Sequence, residues 1–266
     1  MADPGSGSMF DKLSRAITAE DPISLVTVVE GPGVGAKMLV TIDGETEGSL
    51  GNPDLDRVVL RDAIGELAAG TTGVRHYGPG GEARQDEVMV FIESFAPPPQ
   101  MLIFGAVDFT ASLSRVAKVL GYRVTVCDAR PVFATRQRFP LADEVVVDWP
   151  HRFLEKVGAA LGPRDAICVL THDPKFDVPA VIEALKTKVG YLGAMGSRRT
   201  TEDRNERLRA EGVTDDQLAA LMAPIGLDLG ARTPEETAIS ICSEIIALRS
   251  GRLAPSLRDA GGDIHS

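Results

Sequence analysis

The stretch from Met101 to Asp128 constrains the fold more than any other part of this chain, because it reads as strand, tight turn, helix and strand. The successive segments are MLIFG, GAVDF, TASLSRVAKVLG and YRVTVCD. Unbroken apolar residues indicate a parallel strand covered on both faces, and the helix carries apolar residues at helical spacing. Asp128 ends the second strand 23 residues after Gly105, near the offset at which an acidic side chain meets a ribose hydroxyl. The segment predicts the opening of a Rossmann unit.

The turn after the first strand lacks most of the glycines that a dinucleotide needs. The fingerprint requires glycine at the first, third and sixth positions, which here are Gly105, Val107 and Thr110. Val107 places a branched side chain where the backbone would approach a pyrophosphate, and Asp108 adds a negative charge. As the N-cap of the helix, Asp108 would occupy the place of a phosphate. Val107 and Asp108 therefore disfavour NAD(P).

Length and charge limit the kind of protein this is. A chain of 266 residues predicts two domains. A formal charge of −10 argues against nucleic acid or an anionic membrane as the main partner, and no apolar stretch is long enough to predict a transmembrane helix. Residues 1–8, MADPGSGS, lack the features of a signal peptide and read as an expression leader.

The cysteines and histidines do not form a recognisable metal site. The cysteines are widely spaced without a C-x-x-C pair, which indicates buried, inert thiols in a reduced cytoplasm. The histidines do not form the paired or mixed Cys/His cluster that zinc needs, so we expect no metal. These residues are Cys127, Cys168 and Cys242, and His76, His151, His172 and His265.

The remaining pattern predicts a small N-terminal α+β domain over residues 9–95 and a Rossmann-like, doubly wound parallel sheet over residues 101–250. Between them, APPPQ at residues 96–100 reads as a linker because successive prolines lack backbone donors, and residues 251–266 read as a disordered tail. The first domain should contain helices Phe10–Ala19 and Pro53–Ala69, strands Ser24–Glu30 and Ala36–Ile42, a short strand ending at Leu50, and a hairpin of Val74–Tyr77 with Glu87–Ser94. The second should continue with strands Glu144–Val147, Ala166–Thr171 and Val189–Met195, and with helices His151–Leu161, Val178–Lys186, Thr201–Ala210, Asp215–Leu221 and Pro234–Arg249.

Ligands of open α/β sheets bind at the carboxyl ends of the strands, so each strand-to-helix loop is a candidate. After the turn at Gly105, the second such loop is Thr171–Lys175. Here His172 and Asp173 have the chemistry to bind a polar ligand or to move a proton. The alternative is a solvated turn in which Asp173 simply starts the next helix.

The third loop, GAMGSRRT at Gly193–Thr200, has the composition of an anion site. Gly193 and Gly196 allow close backbone approach, Ser197 offers a hydroxyl, and a helix N-terminus supplies amides. Two guanidinium groups, Arg198 and Arg199, can then clamp the anion. The alternative is that they pair with acids such as Asp203.

A fourth segment, Pro224–Arg232, has residues suited to a loop of defined conformation near the carboxyl edge of the predicted sheet. Asp228 and Arg232 could form a salt bridge that fixes the loop. The segment would then support the site without touching ligand.

Four segments carry a family resemblance: YLGAMGSRRT at Tyr191–Thr200, PIGLDLGARTPEETAISICSEIIAL at Pro224–Leu248, RVTVCDARP at Arg123–Pro131 and LTHDPKFD at Leu170–Asp177. With them, the chain from Ser24 to Arg249 resembles the XdhC/CoxI family, maturation factors for molybdenum hydroxylases such as xanthine dehydrogenase and carbon monoxide dehydrogenase. The chain departs from the family pattern at residues 48–54, which contain no cysteine, at Val107 and Asp108, and at Thr201, where a histidine is common.

The resemblance implies an N-terminal XdhC/CoxI domain and a Rossmann domain that binds the molybdenum cofactor (molybdopterin), protects it during sulfuration and delivers it to an apo molybdenum hydroxylase. It implies a non-catalytic accessory protein with a pterin phosphate at residues 196–199 and a sulfurase as a second partner. Separately, the frequency of homodimers among soluble proteins favours a homodimer. The alternatives are an NAD(P)-dependent oxidoreductase, with Asp128 on the ribose and His172 as acid or base, and a scaffold that binds only protein. The candidate cofactor-binding residues are Gly105, Asp108, Asp128, His172, Gly193, Gly196, Ser197, Arg198, Arg199, Asp228 and Arg232.

Overall fold

The computed structural model describes residues 8–83 and 85–261. The chain divides into two compact units, Met1–Pro97 and Pro98–Ser266, and this boundary lies inside the segment predicted as a linker. Residues 1–7 of the predicted leader, His265 and the end of the predicted tail lie outside the described residues. Residues 251–261 are exposed and form no helix or strand.

The first unit is an antiparallel sheet with one long helix packed on it. Its strands lie in the order β3-β2-β1-β5-β4. Helix α2 occupies the predicted range because Asn52 caps its N-terminus, Pro53 starts it, and Gly70 ends it in the left-handed conformation. The predicted hairpin is confirmed by antiparallel pairing of β4 with β5. The elements are α1 Met9–Ala19, β1 Ile23–Glu30, β2 Lys37–Thr41, β3 Thr46–Ser49, α2 Pro53–Ala69, β4 Gly73–Tyr77 and β5 Val88–Phe95.

One residue assigned to the leader belongs to this unit. The hydroxyl of Ser8 accepts a hydrogen bond from the amide of Asp11, and the Asp11 carboxylate accepts one from the Ser8 amide. This reciprocal capping box satisfies two amides at the start of α1.

The second unit is a five-stranded, wholly parallel sheet in the order β10-β9-β6-β7-β8. This confirms the Rossmann-like architecture. One apolar core packs α3 and α8 against one face, and a second core packs α4, α5 and α6 against the other. The elements are β6 Gln100–Phe104, α3 Asp108–Val119, β7 Arg123–Cys127, β8 Glu144–Val146, α4 Pro150–Val157, β9 Ala166–Val169, α5 Pro174–Ala184, β10 Tyr191–Ala194, α6 Arg198–Ala210, α7 Asp215–Ala219 and α8 Pro234–Arg249.

Helices α5 and α6 each begin earlier than the apolar periodicity predicts. Asp173 caps α5 by accepting from the Lys175 amide at 3.1 Å, and Ser197 caps α6 by accepting from the Thr200 amide at 3.1 Å. A side-chain cap fixes the first turn whatever the apolar pattern. Consequently Arg198 and Arg199 lie on a helix and not in a loop.

The three cysteines are free and buried, as predicted. Burial raises the pKa of Cys127 and Cys242 to about 12 each, and raises that of Cys168 as well. Within the described ranges, no group of three His, Cys, Asp or Glu side chains is placed to hold a metal ion. No helix within those ranges is long and apolar enough to cross a membrane.

Candidate functional site

The carboxyl edge of the parallel sheet brings the first two candidate loops together. Strands β6 and β9 are neighbours at which the strand order reverses, the usual ligand position in this fold. Gly105 has a φ of +111°, and a Cβ there would lie 2.9 Å from the Thr171 amide nitrogen. Only glycine fits this contact, so the close approach of the two loops explains the residue without a ligand.

The crevice at this switch point is small. Its lining includes Gly105, Asp128, Thr171 and Phe176, and the space it leaves for a water-sized group is about 0 Å³. Pockets for small molecules typically measure roughly 300 to 1,000 Å³. In the described conformation the crevice therefore has no room for a dinucleotide.

The carboxylate of Asp128 is occupied by protein donors. It is buried and accepts hydrogen bonds from the Ala106 amide at 2.7 Å, the Arg130 amide at 2.9 Å and the Arg130 guanidinium at 2.7 and 2.9 Å. Although burial raises the pKa of Asp128, the hydrogen bonds from Arg130 and Ala106 lower it below the ordinary value. Both oxygens that a ribose hydroxyl would use are thus engaged.

The prediction that Asp108 caps α3 is wrong. The N-cap is Val107, with φ −105° and ψ 174° and no side-chain hydrogen bond. A cap residue needs extended backbone, whereas Asp108 is already helical. Its carboxylate is exposed and lies 3.5 Å from Arg138 Nη2, so it does not occupy the place of a phosphate.

Other polar groups of the same turn are also satisfied internally. Thr110 Oγ1 donates to the Gly105 carbonyl, and Arg138 Nη1 donates to the Ala106 carbonyl at 2.9 Å. Together with the bond from the Ala106 amide to Asp128, these bonds hold the turn in one conformation. The Ala106 amide, the Thr110 hydroxyl and Arg138 Nη1 are therefore used internally and are not available to an anion.

In the second loop the structural alternative holds for Asp173, which caps α5 and pairs with Lys175 Nζ at 3.2 Å. His172 is exposed, and no hydrogen bond joins it to any residue in the described ranges. The structure does not bring His172 to an acid or to a nucleophile.

The third loop keeps its charged donors free. Arg198 and Arg199 are exposed in the first turn of α6, and neither forms an ion pair with Asp203 or any other described residue. Ser197 is used as the cap and also bonds Thr200 Oγ1 at 2.9 Å. Two free guanidinium groups therefore stand beside the amides of a helix N-terminus, the arrangement that binds anions.

The two glycines of this loop have different surroundings. Gly193 lies within β10, where a Cβ would meet Ile225 at 2.5 Å and the Tyr191 hydroxyl at 2.8 Å. Close packing against Ile225 and Tyr191 therefore explains why residue 193 is a glycine. Gly196 precedes α6, and a Cβ there would lie 3.3 Å from Thr200 and 3.5 Å from Arg204 Nη2.

The expected salt bridge between Asp228 and Arg232 does not form; both side chains are exposed and no ion pair joins them. Glu244 holds the loop instead. Its Oε2 accepts from the Gly226 amide at 2.9 Å and from the Tyr191 hydroxyl at 2.6 Å. Sequence reasoning missed Glu244, although an acid within the apolar run of α8 was a usable signal.

A buried ion pair was also missed. Arg204 is 1% exposed, and its Nε donates to Asp177 Oδ2 at 3.1 Å while Nη2 donates to the Met195 carbonyl at 2.5 Å. We call the side chains of Asp177, Thr201, Arg204 and Asn205 the polar seam. One atom of each, namely Asp177 Oδ1, Thr201 Oγ1, Arg204 Nη1 and Asn205 Oδ1, is buried without a hydrogen-bond partner among the described residues.

A larger groove of about 500 Å³ lies between α4, α5 and α6. Its walls include the apolar residues Val178, Pro179 and Ile182 and the carboxylates of Glu183 and Glu211. Arg207 lines the groove as well, so its charges are mixed, and its volume alone does not make it the better candidate for a phosphate.

Comparison with known proteins gives matches along most of the chain. Residues 101–245 match a family model described as the XdhC Rossmann domain, and residues 16–78 match one described as the XdhC and CoxI family. A Bacillus halodurans structure described as a xanthine dehydrogenase superposes with a TM-score of 0.56 at 22% identity, covering 94% of this chain and 98% of that one. At that identity the likeness shows a shared fold.

Three curated proteins are similar in sequence. The uncharacterized protein YqeB of Escherichia coli is 24% identical over 91% of this chain and 46% of its own length. A probable xanthine dehydrogenase subunit of Bacillus subtilis is 31% identical over 60% and 46%, and the E. coli molybdenum cofactor insertion chaperone PaoD is 24% identical over 60% and 43%. The chain spans less than half the length of these relatives.

Proposed function

This chain belongs to the XdhC and CoxI family, and from that premise we propose that it is a maturation chaperone that binds the molybdenum cofactor and delivers it to a molybdenum hydroxylase. The PaoD relative, described as a molybdenum cofactor insertion chaperone, supports the proposal. We further propose an apo molybdenum hydroxylase as the client. The sulfurase and the homodimer remain predictions.

One observation supports the assignment of the site: Arg198 and Arg199 at the start of α6 form no ion pair with any residue that the structure describes. The partial positive charge of a helix N-terminus favours anions and disfavours cations by roughly 0.3 to 1 kcal/mol per charge. Two adjacent cations at this position oppose the helix dipole unless an anion binds there. In a chain of net charge −10, such a local positive site is selective for an anionic group.

The residues present fit the phosphate of a pterin cofactor. Arg198 and Arg199 would hold it by charge-assisted hydrogen bonds, and the backbone amides of the first turn of α6 would orient it. The cofactor supplies redox chemistry to its eventual enzyme. We assign no catalytic role to His172 or Asp173, because Asp173 caps a helix and His172 lacks a described partner.

The oxidoreductase alternative has less support. The Ala106 amide that would meet a pyrophosphate donates a hydrogen bond to Asp128 instead. The Asp128 carboxylate in turn accepts hydrogen bonds from Arg130. These contacts weigh against NAD(P) more directly than Val107 does.

The test is anaerobic titration calorimetry of the full chain with molybdenum cofactor and, separately, with NAD. We expect cofactor binding that is lost in the double variant Arg198→Ala/Arg199→Ala. The matched control is Arg207→Ala/Arg209→Ala, which removes two arginines from the other end of the same helix and should bind normally. Unchanged binding in the first variant, or binding of NAD alone, would refute the proposal.

A further inference from the structure

The polar seam lies directly behind the proposed anion site. Arg204 contacts the carbonyl of Met195, the residue before Gly196, and its Nη2 lies beside the position that a Gly196 Cβ would occupy. Asp177, which fixes the other edge of this guanidinium, lies in the first turn of α5, four residues after the cap at Asp173. A single buried side chain therefore connects the helix that follows the second loop to the end of β10.

We propose, on the basis of the proposed function, that Arg204 is a positioning residue for the anion site. By holding the Met195 carbonyl, Arg204 sets the direction in which the chain enters Gly196 and the first turn of α6. The backbone amides of that turn are then held in a fixed direction, and preorganised donors of this kind are what tight anion binding requires.

The hydrogen bonds of Asp177 and Arg204 indicate that the pair positions the Met195 carbonyl rather than adding to the stability of the fold. In a bidentate pair both carboxylate oxygens would be bonded, but here Asp177 Oδ1 and Arg204 Nη1 have no described partner. Nε and Nη2 of Arg204 could together bind both oxygens of one carboxylate. Instead, Nε donates to Asp177 and Nη2 donates to the Met195 carbonyl. An ion pair that served only the packing of α5 on α6 has no need of the Met195 contact. Apolar side chains of similar volume would often stabilise such an interface as well or better.

The double variant Asp177→Leu/Arg204→Met separates the two roles. It replaces both charges together with apolar side chains, and it loses the bond to the Met195 carbonyl. The matched control is Arg207→Met, which lies one turn further along α6 and is exposed. The probes are molybdenum cofactor and inorganic phosphate, titrated anaerobically into the full chain, together with the amide chemical shifts of Gly196 and Ser197.

We expect the double variant to unfold at the same denaturant concentration as the wild type or a higher one, to shift the Gly196 amide, and to bind both probes at least tenfold more weakly. A folded double variant with wild-type affinity would overturn the proposal. If the double variant does not fold, Arg204→Lys replaces it. That side chain keeps the charge but lacks the fork that reaches Asp177 and Met195 together, and wild-type phosphate affinity in it would overturn the proposal equally.

The outcomes distinguish the two proposals. A wild-type chain that binds phosphate but not the cofactor would refute the proposed function, while the role of Arg204 would still be decided by the phosphate titrations. Cofactor binding that is equal in wild type and variants would refute only the role of Arg204. A wild-type chain that binds neither probe would refute both.

Discussion

Replacing Arg204 alone should destabilise the second unit strongly. The variant Arg204→Met leaves the Asp177 carboxylate 3% exposed with no counter-charge, and neither of its oxygens retains a side-chain donor. Breaking a buried pair on one side typically costs about 3 to 5 kcal/mol. The Met195 carbonyl also loses its donor, so we expect the upper part of that range. At about 2 to 4 °C per kcal/mol for a domain of this size, the midpoint of thermal unfolding should fall by at least ~8 °C.

Removing both charges should reverse this loss. The Asp177→Leu/Arg204→Met variant eliminates the uncompensated carboxylate and two unpartnered polar atoms, each of which costs roughly 1 to 3 kcal/mol when buried. Urea unfolding followed by circular dichroism and by Trp149 fluorescence measures the change, since Trp149 reports on the second unit alone. A single variant that loses less than about 1 kcal/mol, below the cost of even one lost buried partner, would refute the reasoning.

Three further predictions concern residues around the carboxyl edge. The pKa of Asp128 is lowered in the folded chain, so its contribution to stability is present above its unfolded pKa and is lost as the pH falls through the folded value. The difference in unfolding free energy between wild type and Asp128→Asn should therefore shrink below about pH 4. A difference that stays constant with pH would contradict this. Glu244→Leu removes the acceptor of the Gly226 amide and of the Tyr191 hydroxyl; it should cost about 1 to 3 kcal/mol and speed hydrogen exchange at the Gly226 amide, and unchanged exchange there would rule out its anchoring role. Asp173→Ala should cost about 1 kcal/mol through the lost cap, whereas His172→Ala should stay within about 0.5 kcal/mol in the same urea assay; equal losses would argue against the capping assignment.

The parts of the fold that the sequence predicted well have strong local signals. Helix α8 matches the predicted bounds because Thr233, Pro234 and Glu236 form a complete start signal, with the Thr233 hydroxyl accepting from the Glu236 amide at 3.1 Å. The parallel strands were readable because burial on both faces leaves continuous apolar runs. Signals of this kind need no knowledge of tertiary contacts.

The predictions from the sequence were wrong, or missed a residue, where tertiary contacts determine the role of a side chain. Burial of Arg204 was not readable because α6 is polar almost throughout, and only packing against α5 shows which of its arginines points inward. The role of Asp108 was misjudged because the backbone dihedrals of Val107, and not residue type, define the cap. The ribose role expected of Asp128 depended on its offset from Gly105, and the offset could not show that Arg130 turns back onto the same carboxylate.

The distribution of neighbouring charges favours the end of the last strand over the first as the position of the proposed anion site. In the first turn, Asp128 takes the Ala106 amide, and Thr110 and Arg138 take the carbonyls of Gly105 and Ala106. A phosphate arriving there would have to break a bond to a buried carboxylate and then lie close to that negative charge. At the start of α6 the Ser197 and Thr200 hydroxyls bond each other and Ser197 caps the helix. The first turn holds Arg198 and Arg199 and no acid. Both sites have the helix N-terminus of a Rossmann unit, so the neighbouring charges decide between them: the first turn is internally neutralised, and the start of α6 leaves its positive potential available to a ligand.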